Sequence, residues 1–191
     1  MPGHGAVTNG LMAYRKYGEG SGDAVVLLHA FPLNSRMWRP QAEALAETRR
    51  VITPDYPGFG RSPGSPAQPD VGYYAKCVRG LLDRLGLEKV VLGGISMGGY
   101  VAFECMRQFP GRVSGLILAN TRPDPDSEEA RESRREMARR VAGEGVEVLI
   151  ELQMQRLLAK STLQNEAATV ELVRDMILES NPNGVVAALS A

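Results

Sequence analysis

Apolar runs at residues 24–29, 50–55, 89–96 and 113–120 punctuate the first part of the chain. They are rich in valine, isoleucine and leucine, and none alternates with polar residues. That pattern predicts strands buried on both faces of a parallel sheet. Residues 7–17 read differently, as a strand pair turned at Asn9-Gly10. Helical spacing fills the gaps between the runs. Ser35 is placed to cap a helix carrying Met37, Trp38, Ala42 and Leu45. Asp70 is placed to cap another, in which Val71, Tyr74, Val78, Leu81, Leu82 and Leu85 recur at helical period. A third helix starts at Met97 and stops near Phe109-Pro110, where proline forbids continuation. Strands alternating with helices predict an α/β fold with right-handed crossovers.

Beyond Asn120 the pattern changes, and residues 127–191 contain no convincing strand. Residues 128–141 are charge-rich and helical. Val146, Leu149, Ile150, Met154, Leu157 and Leu158 form an amphipathic stripe, and Val170, Val173, Met176 and Ile177 form another that Asn181-Pro182 ends. Residues 184–191 begin one more helix. The chain therefore divides into an α/β core over residues 1–122 and a helical lid over residues 123–191.

Composition narrows the partners. The 191 residues are 43% hydrophobic, enough for one domain with a core. Twenty-two basic side chains balance 22 acidic ones, which argues against nucleic acid or an anionic membrane as partner. Arg131, Arg134, Arg135, Arg139 and Arg140 cluster, but glutamates are interleaved with them, as on a solvated, ion-paired helix face. Cys77 and Cys105 fit reduced thiols and a cytoplasmic setting, and no signal peptide, membrane span or metal-binding cluster is visible.

The chemistry concentrates at Gly94-Ile95-Ser96-Met97-Gly98-Gly99, where a buried strand turns directly into a helix. Small residues at 94 and 98 let the backbone fold sharply around a strained serine. The Met97 amide and the helix N-terminus then favour negative charge at the same spot. A serine hydroxyl is a poor nucleophile at neutral pH and needs a base.

Two further segments extend the pattern. His29-Ala30-Phe31-Pro32 follows the first apolar run and resembles the oxyanion loop of the α/β-hydrolase superfamily, with Ala30 where glycine is commoner. Asp55-Tyr56-Pro57-Gly58-Phe59-Gly60-Arg61-Ser62 follows the next run and resembles that superfamily's D-x-x-G-x-G-x-S loop. The order and spacing are most similar to the branch of 3-oxoadipate enol-lactonases and small esterases. The resemblance implies an α/β-hydrolase fold: a mostly parallel sheet flanked by helices, with a helical lid. It implies Ser96 as nucleophile, the Phe31 and Met97 amides as oxyanion hole, no cofactor, no metal, and a small ester, lactone or thioester as substrate. Core packing is the plainer reading of Trp38, Met154 and Met176, with pocket lining the alternative for each. A serine at position 96 argues against relatives that attack with aspartate.

The same resemblance implies a late histidine and an acid, and the chain departs from it there. Its histidines are His4 and His29, both before the serine. In relatives the residue at His29 is structural, and His4 reads as part of an exposed tail. Asp124, or Asp126, is the acid under a minority arrangement. The expectation is an incomplete form whose C-terminal strands, acid and histidine are missing. Residues 113–120 would then form a long apolar sheet edge open to self-association. The alternatives are an inactive hydrolase-like binding protein, or a base supplied by a second chain.

Overall fold

A computed structural model describes residues 3–4, 12–64 and 69–191. The sheet is ordered β1-β2-β4-β3-β5-β6. Its strands are β1 (Gly3–His4), β2 (Tyr14–Tyr17), β3 (Ala24–Leu28), β4 (Val51–Pro54), β5 (Val90–Ile95) and β6 (Val113–Ala119). β1 and β2 pair antiparallel and β2 runs antiparallel to β4, whereas β4, β3, β5 and β6 are parallel. The four continuous apolar runs became these four parallel strands. The Asn9-Gly10 turn lies outside the described residues.

Every residue of β3 is buried, for a reason visible in its neighbours. Val25 and Leu27 pack with Tyr17, Val51 and Trp38, beneath Ala42 of α1 (Arg39–Leu45). Their alternates Ala24, Val26 and Leu28 join the larger cluster on the opposite face. That cluster includes Tyr74, Val78, Leu81 and Leu82 of α2 (Val71–Arg84), and Val101, Ala102 and Cys105 of α3 (Met97–Gln108). Both sides of the pleat meet apolar helices, so no polar alternation survives in the sequence.

The Asp70 side chain caps α2 by accepting from the Tyr73 amide at 2.7 Å. The first helix starts differently from expectation, because Asn34 caps it rather than Ser35. Asn34 is extended and its Oδ1 accepts from the Arg36 amide at 3.0 Å, while Ser35 already lies in a 3-10 turn leading into α1.

Five helices follow β6: α4 (Glu128–Glu144), α5 (Val148–Leu157), α6 (Lys160–Asn165), α7 (Ala167–Leu178) and α8 (Pro182–Ser190). Asn181-Pro182 opens α8 as well as closing the preceding segment. Asn181 Oδ1 accepts from the Asn183 and Gly184 amides, and Pro182 follows in the first turn, where its missing N–H is harmless. The block docks onto the loops after β3 and β4. Glu179 accepts from Asn34 Nδ2 at 2.9 Å and pairs with Arg36, and the Asn181 amide donates to Gly58 O at 3.0 Å. Gly58, at φ +86°, faces Gly184 so closely that a Cβ on Gly58 would lie 2.5 Å from Gly184 Cα. Met137, Leu149, Met176 and Leu189 consequently share one buried cluster with Leu28 and Leu92. No described helix is long and apolar enough to cross a membrane.

β6 forms the edge of the sheet among the described residues. Leu116, Ile117 and Leu118 are 38%, 49% and 41% exposed there. Ile117 lies beside Gly93 on the α1 side of the sheet, whereas Leu116 and Leu118 lie beside Leu92 and Gly94 on the other. Both faces are open at this edge.

Candidate active site

β5 passes into α3 through Ser96, whose backbone sits at φ +52°, ψ −117°. Left-handed values at a non-glycine residue cost about 1–3 kcal/mol and persist only where the surroundings enforce them. Here the enforcement is steric. A Cβ on Gly94 would lie 2.2 Å from Gly98 O, one on Gly98 would lie 2.3 Å from Leu28 O, and one on Gly99 would lie 2.3 Å from Thr121 Oγ1. Hydrogen bonds hold the same turn. The Ser96 amide donates to Ala119 O at 3.1 Å, and Ser96 O accepts from the Gly99 amide at 2.9 Å and from Thr121 Oγ1 at 3.0 Å.

The mounting fixes the backbone and leaves the hydroxyl free. Ser96 is half-buried, and its side chain has no hydrogen-bond partner among the described residues. It lines a cleft of about 540 Å³ together with Phe31 and Met97. The Met97 amide opens α3, and the Phe31 amide lies in the loop after β3. Neither amide finds a protein acceptor among the described residues. An unpaired donor at a helix N-terminus beside a free hydroxyl suits an oxygen that gains negative charge.

His29 begins that loop and is fully buried. Its Nε2 accepts from the Tyr56 amide at 3.0 Å, so Nδ1 carries the proton and donates to Ala30 O at 3.0 Å. The rings of Tyr56 and Phe59 stand 4.5 and 5.5 Å away. Burial holds its pKa below the ordinary 6.5, against a smaller upward pull from Asp55. With both nitrogens engaged, His29 has no lone pair to offer Ser96. His4 lies on β1, four strands from β5 in the sheet order and therefore on the order of 19 Å away.

The loop after β4 is equally committed. Asp55 is buried, and its carboxylate accepts from the amides of Ser35 at 2.7 Å and Arg61 at 3.1 Å. The Ser62 hydroxyl donates to Asp55 O at 2.6 Å and accepts from the Ala13 amide at 2.8 Å. These groups stitch the loop to β2 and to the Phe31 loop.

Other predicted positions fall elsewhere. Asp124 is exposed, makes no ion pair among the described residues and lines an adjoining cleft of about 770 Å³ that does not include Ser96. Asp126 is clamped by Arg134 and Arg122, which hold its pKa below the usual carboxylate range. Trp38, Met154 and Met176 do not line the Ser96 cleft. Trp38 packs against the β3–β4 face beside α1, and the two methionines are buried in the main core. Burial also pushes the Cys105 thiol up to about 12 and the Cys77 thiol upward, so neither is a ready thiolate. Among the described residues no cluster of His, Cys, Asp or Glu could hold a metal ion.

The cleft wall beyond Ser96 comes from residues that the sequence did not mark as lining it: Ser133, Arg134 and Met137 on α4, and Gln153, Arg156 and Leu157 on α5. Gln153 and Arg156 are three apart and therefore share a helix face, a signal available in the sequence. What that face meets depends on how α5 docks.

The family described as alpha/beta hydrolase fold matches residues 23–189. An esterase from Thermogutta terrifontis, solved with malate bound, is 42% identical with a TM-score of 0.88, covering 100% of this chain and 71% of that one. The enol-lactonase from Burkholderia xenovorans LB400 is 25% identical with a TM-score of 0.88, covering 98% of this chain and 72% of that one. A pimeloyl-[acyl-carrier protein] methyl ester esterase from Pseudoalteromonas atlantica is 39% identical over 105 residues, 54% of this chain and 39% of its own length. The chain spans less than half the length of the curated relatives it matches.

Proposed function

The chain belongs to the α/β-hydrolase fold family, and from that premise we propose that it carries the nucleophile of a serine hydrolase of small carboxylic esters, lactones or thioesters. The observation behind this reading is a serine held at φ +52° between glycines that tolerate no side chain, with its hydroxyl free beside two unpaired amides. Ser96 Oγ attacks the acyl carbon, and the Phe31 and Met97 amides hold the resulting oxyanion. Collapse expels the alcohol or thiol and leaves an acyl-enzyme on Ser96, which water then hydrolyses. No cofactor enters these steps. Residues 123–191 act as the cap that shapes the acyl or alcohol pocket.

The general base and its acid partner come from residues other than those of this sequence. Engagement of both His29 nitrogens supports this, as does the open β6 edge, which suits a further strand. Left open, that edge makes the 191-residue chain self-associate.

The second reading, a hydrolase-like binding protein without turnover, is favoured by the same missing base. A fluorophosphonate probe separates the two readings when applied to the product of the coding sequence continued past codon 191. Covalent label on Ser96, lost in Ser96→Ala, supports the hydrolase. An extended product that folds yet leaves Ser96 unlabelled overturns it in favour of binding.

A further inference from the structure

The segment after α7 reaches back to the loop that carries the Phe31 amide. Three consecutive residues make the contact. Glu179 accepts from Asn34 Nδ2 at 2.9 Å and pairs with Arg36, the Ser180 hydroxyl donates to Pro32 O at 3.3 Å, and the Asn181 amide donates to Gly58 O at 3.0 Å. Helix rules do not explain the first of them. Glu179 follows the last turn of α7, where the dipole favours a cation, yet that turn holds Asp175 and no basic residue. A partly exposed ion pair with Arg36 is worth little by itself. Asn34 is the weightier partner, because it is 1% exposed and its buried side-chain amide must find an acceptor.

Two routes lead from these contacts to Phe31. The Phe31 N–H and the Ala30 carbonyl belong to one planar peptide and point in opposite directions, so whatever holds Ala30 O aims the Phe31 donor. Ala30 O accepts from His29 Nδ1 at 3.0 Å and from the Leu33 amide at 2.9 Å. Leu33 N–H in turn shares its peptide with Pro32 O, the acceptor of Ser180. On the second route Asn34, held by Glu179, caps the 3-10 turn and accepts at its carbonyl from the Met37 amide at 3.1 Å. Met37 Sδ then accepts from the Ala30 amide at 3.3 Å. The Ser180 link is the weaker route, since its one proton also has Met176 O at 3.4 Å. We infer that Glu179, assisted by Ser180, is a positioning residue for the oxyanion loop, so that the Phe31 donor is aimed while the end of α7 is seated. The inference rests on the hydrolase reading and adds to it a residue that does not line the Ser96 cleft. A donor fixed in advance is what stabilises a developing oxyanion.

Hydrogen exchange at the Leu33 amide, resolved by residue in the 191-residue protein, reads the bond that orients the Phe31 peptide. Glu179→Ala should speed it about tenfold, roughly the loss of one hydrogen bond, and Ser180→Ala should speed it less. Glu179→Gln, which keeps an acceptor for Asn34, should restore the original rate. The Val25 amide, bonded to Arg50 O, should not change. An unchanged Leu33 rate in Glu179→Ala overturns the inference, and so does equal acceleration at Leu33 and Val25, which marks general loosening. In the product continued past codon 191, Glu179→Ala should lower the limiting rate of fluorophosphonate labelling about tenfold, less than the loss of a donor outright, with half-saturation unchanged. An unchanged limiting rate also overturns it. Absence of label in the unaltered product counts against the hydrolase reading alone, because Leu33 exchange still decides the positioning.

Discussion

The β5–α3 turn and the β6 edge are neighbours in one sheet and opposites in construction. At the turn each backbone approach is closed to within van der Waals contact, and carbonyl and amide partners surround Ser96. One strand away, Leu116, Ile117 and Leu118 stand open to solvent on both faces of the sheet. Mounting a nucleophile is a local problem, solved by a strand, three glycines and a helix start. Moving its proton is not local. The hydrolase reading proposed above asks for an imidazole beside Ser96, and among the described residues His29 has both ring nitrogens engaged.

The largest expected effect tests the closed half of this contrast. Gly94→Ala drives a methyl group against the Gly98 carbonyl and should cost more than about 3 kcal/mol in urea unfolding, or prevent folding. Gly80→Ala, within α2 where nothing lies within 4 Å of the added Cβ, should instead stabilise by about 0.5–1 kcal/mol. Similar values for the two would show that the turn is not sterically locked.

The open half is tested at β6. Replacing Ile117 and Leu118 with lysine puts charge on the edge, one on each face. Sedimentation should show the associated chain becoming monomeric, with stability changed by no more than about 0.5 kcal/mol per site. Unchanged association would locate the contact elsewhere.

Much of this architecture was legible in the sequence. The parallel strands showed because both their faces are buried, and the serine turn showed because its requirements are written in adjacent residues. Three features escaped for physical reasons. Asn34 rather than Ser35 caps the first helix, since the choice between adjacent capping residues depends on where the Asp55 carboxylate waits for the Ser35 amide. α6 carries one large apolar residue, Leu163, too few for a visible stripe. The cleft wall stayed hidden because amphipathic spacing gives a helix face but not what it meets. Met154 and Met176 therefore turned inward while Arg156 reached the cleft.

A smaller effect sharpens the picture of strain. Ser96→Gly removes the side chain that disfavours φ +52°, and it should raise stability by about 1 kcal/mol while eliminating any acyl transfer. A loss of stability would mean that the hydroxyl itself supports the turn.

The gentlest effect is a slope with pH. His29 has its folded pKa below the unfolded 6.5, so the unfolded chain takes up its proton first as pH falls. Stability from this group is complete above about 6.5 and declines as pH falls from there toward the folded value. Nitrogen NMR of the imidazole should show the Nδ1-protonated neutral tautomer persisting as pH falls below the ordinary 6.5. A signal that titrates near 6.5 would show a solvated ring that is free to act as a base.

The most direct test of a mounted nucleophile without its base is turnover of p-nitrophenyl acetate by the 191-residue chain beside its Ser96→Ala variant. The two should hydrolyse the ester at the same slow rate. Fast turnover that disappears in Ser96→Ala would contradict this, because it would require a base among the residues described here.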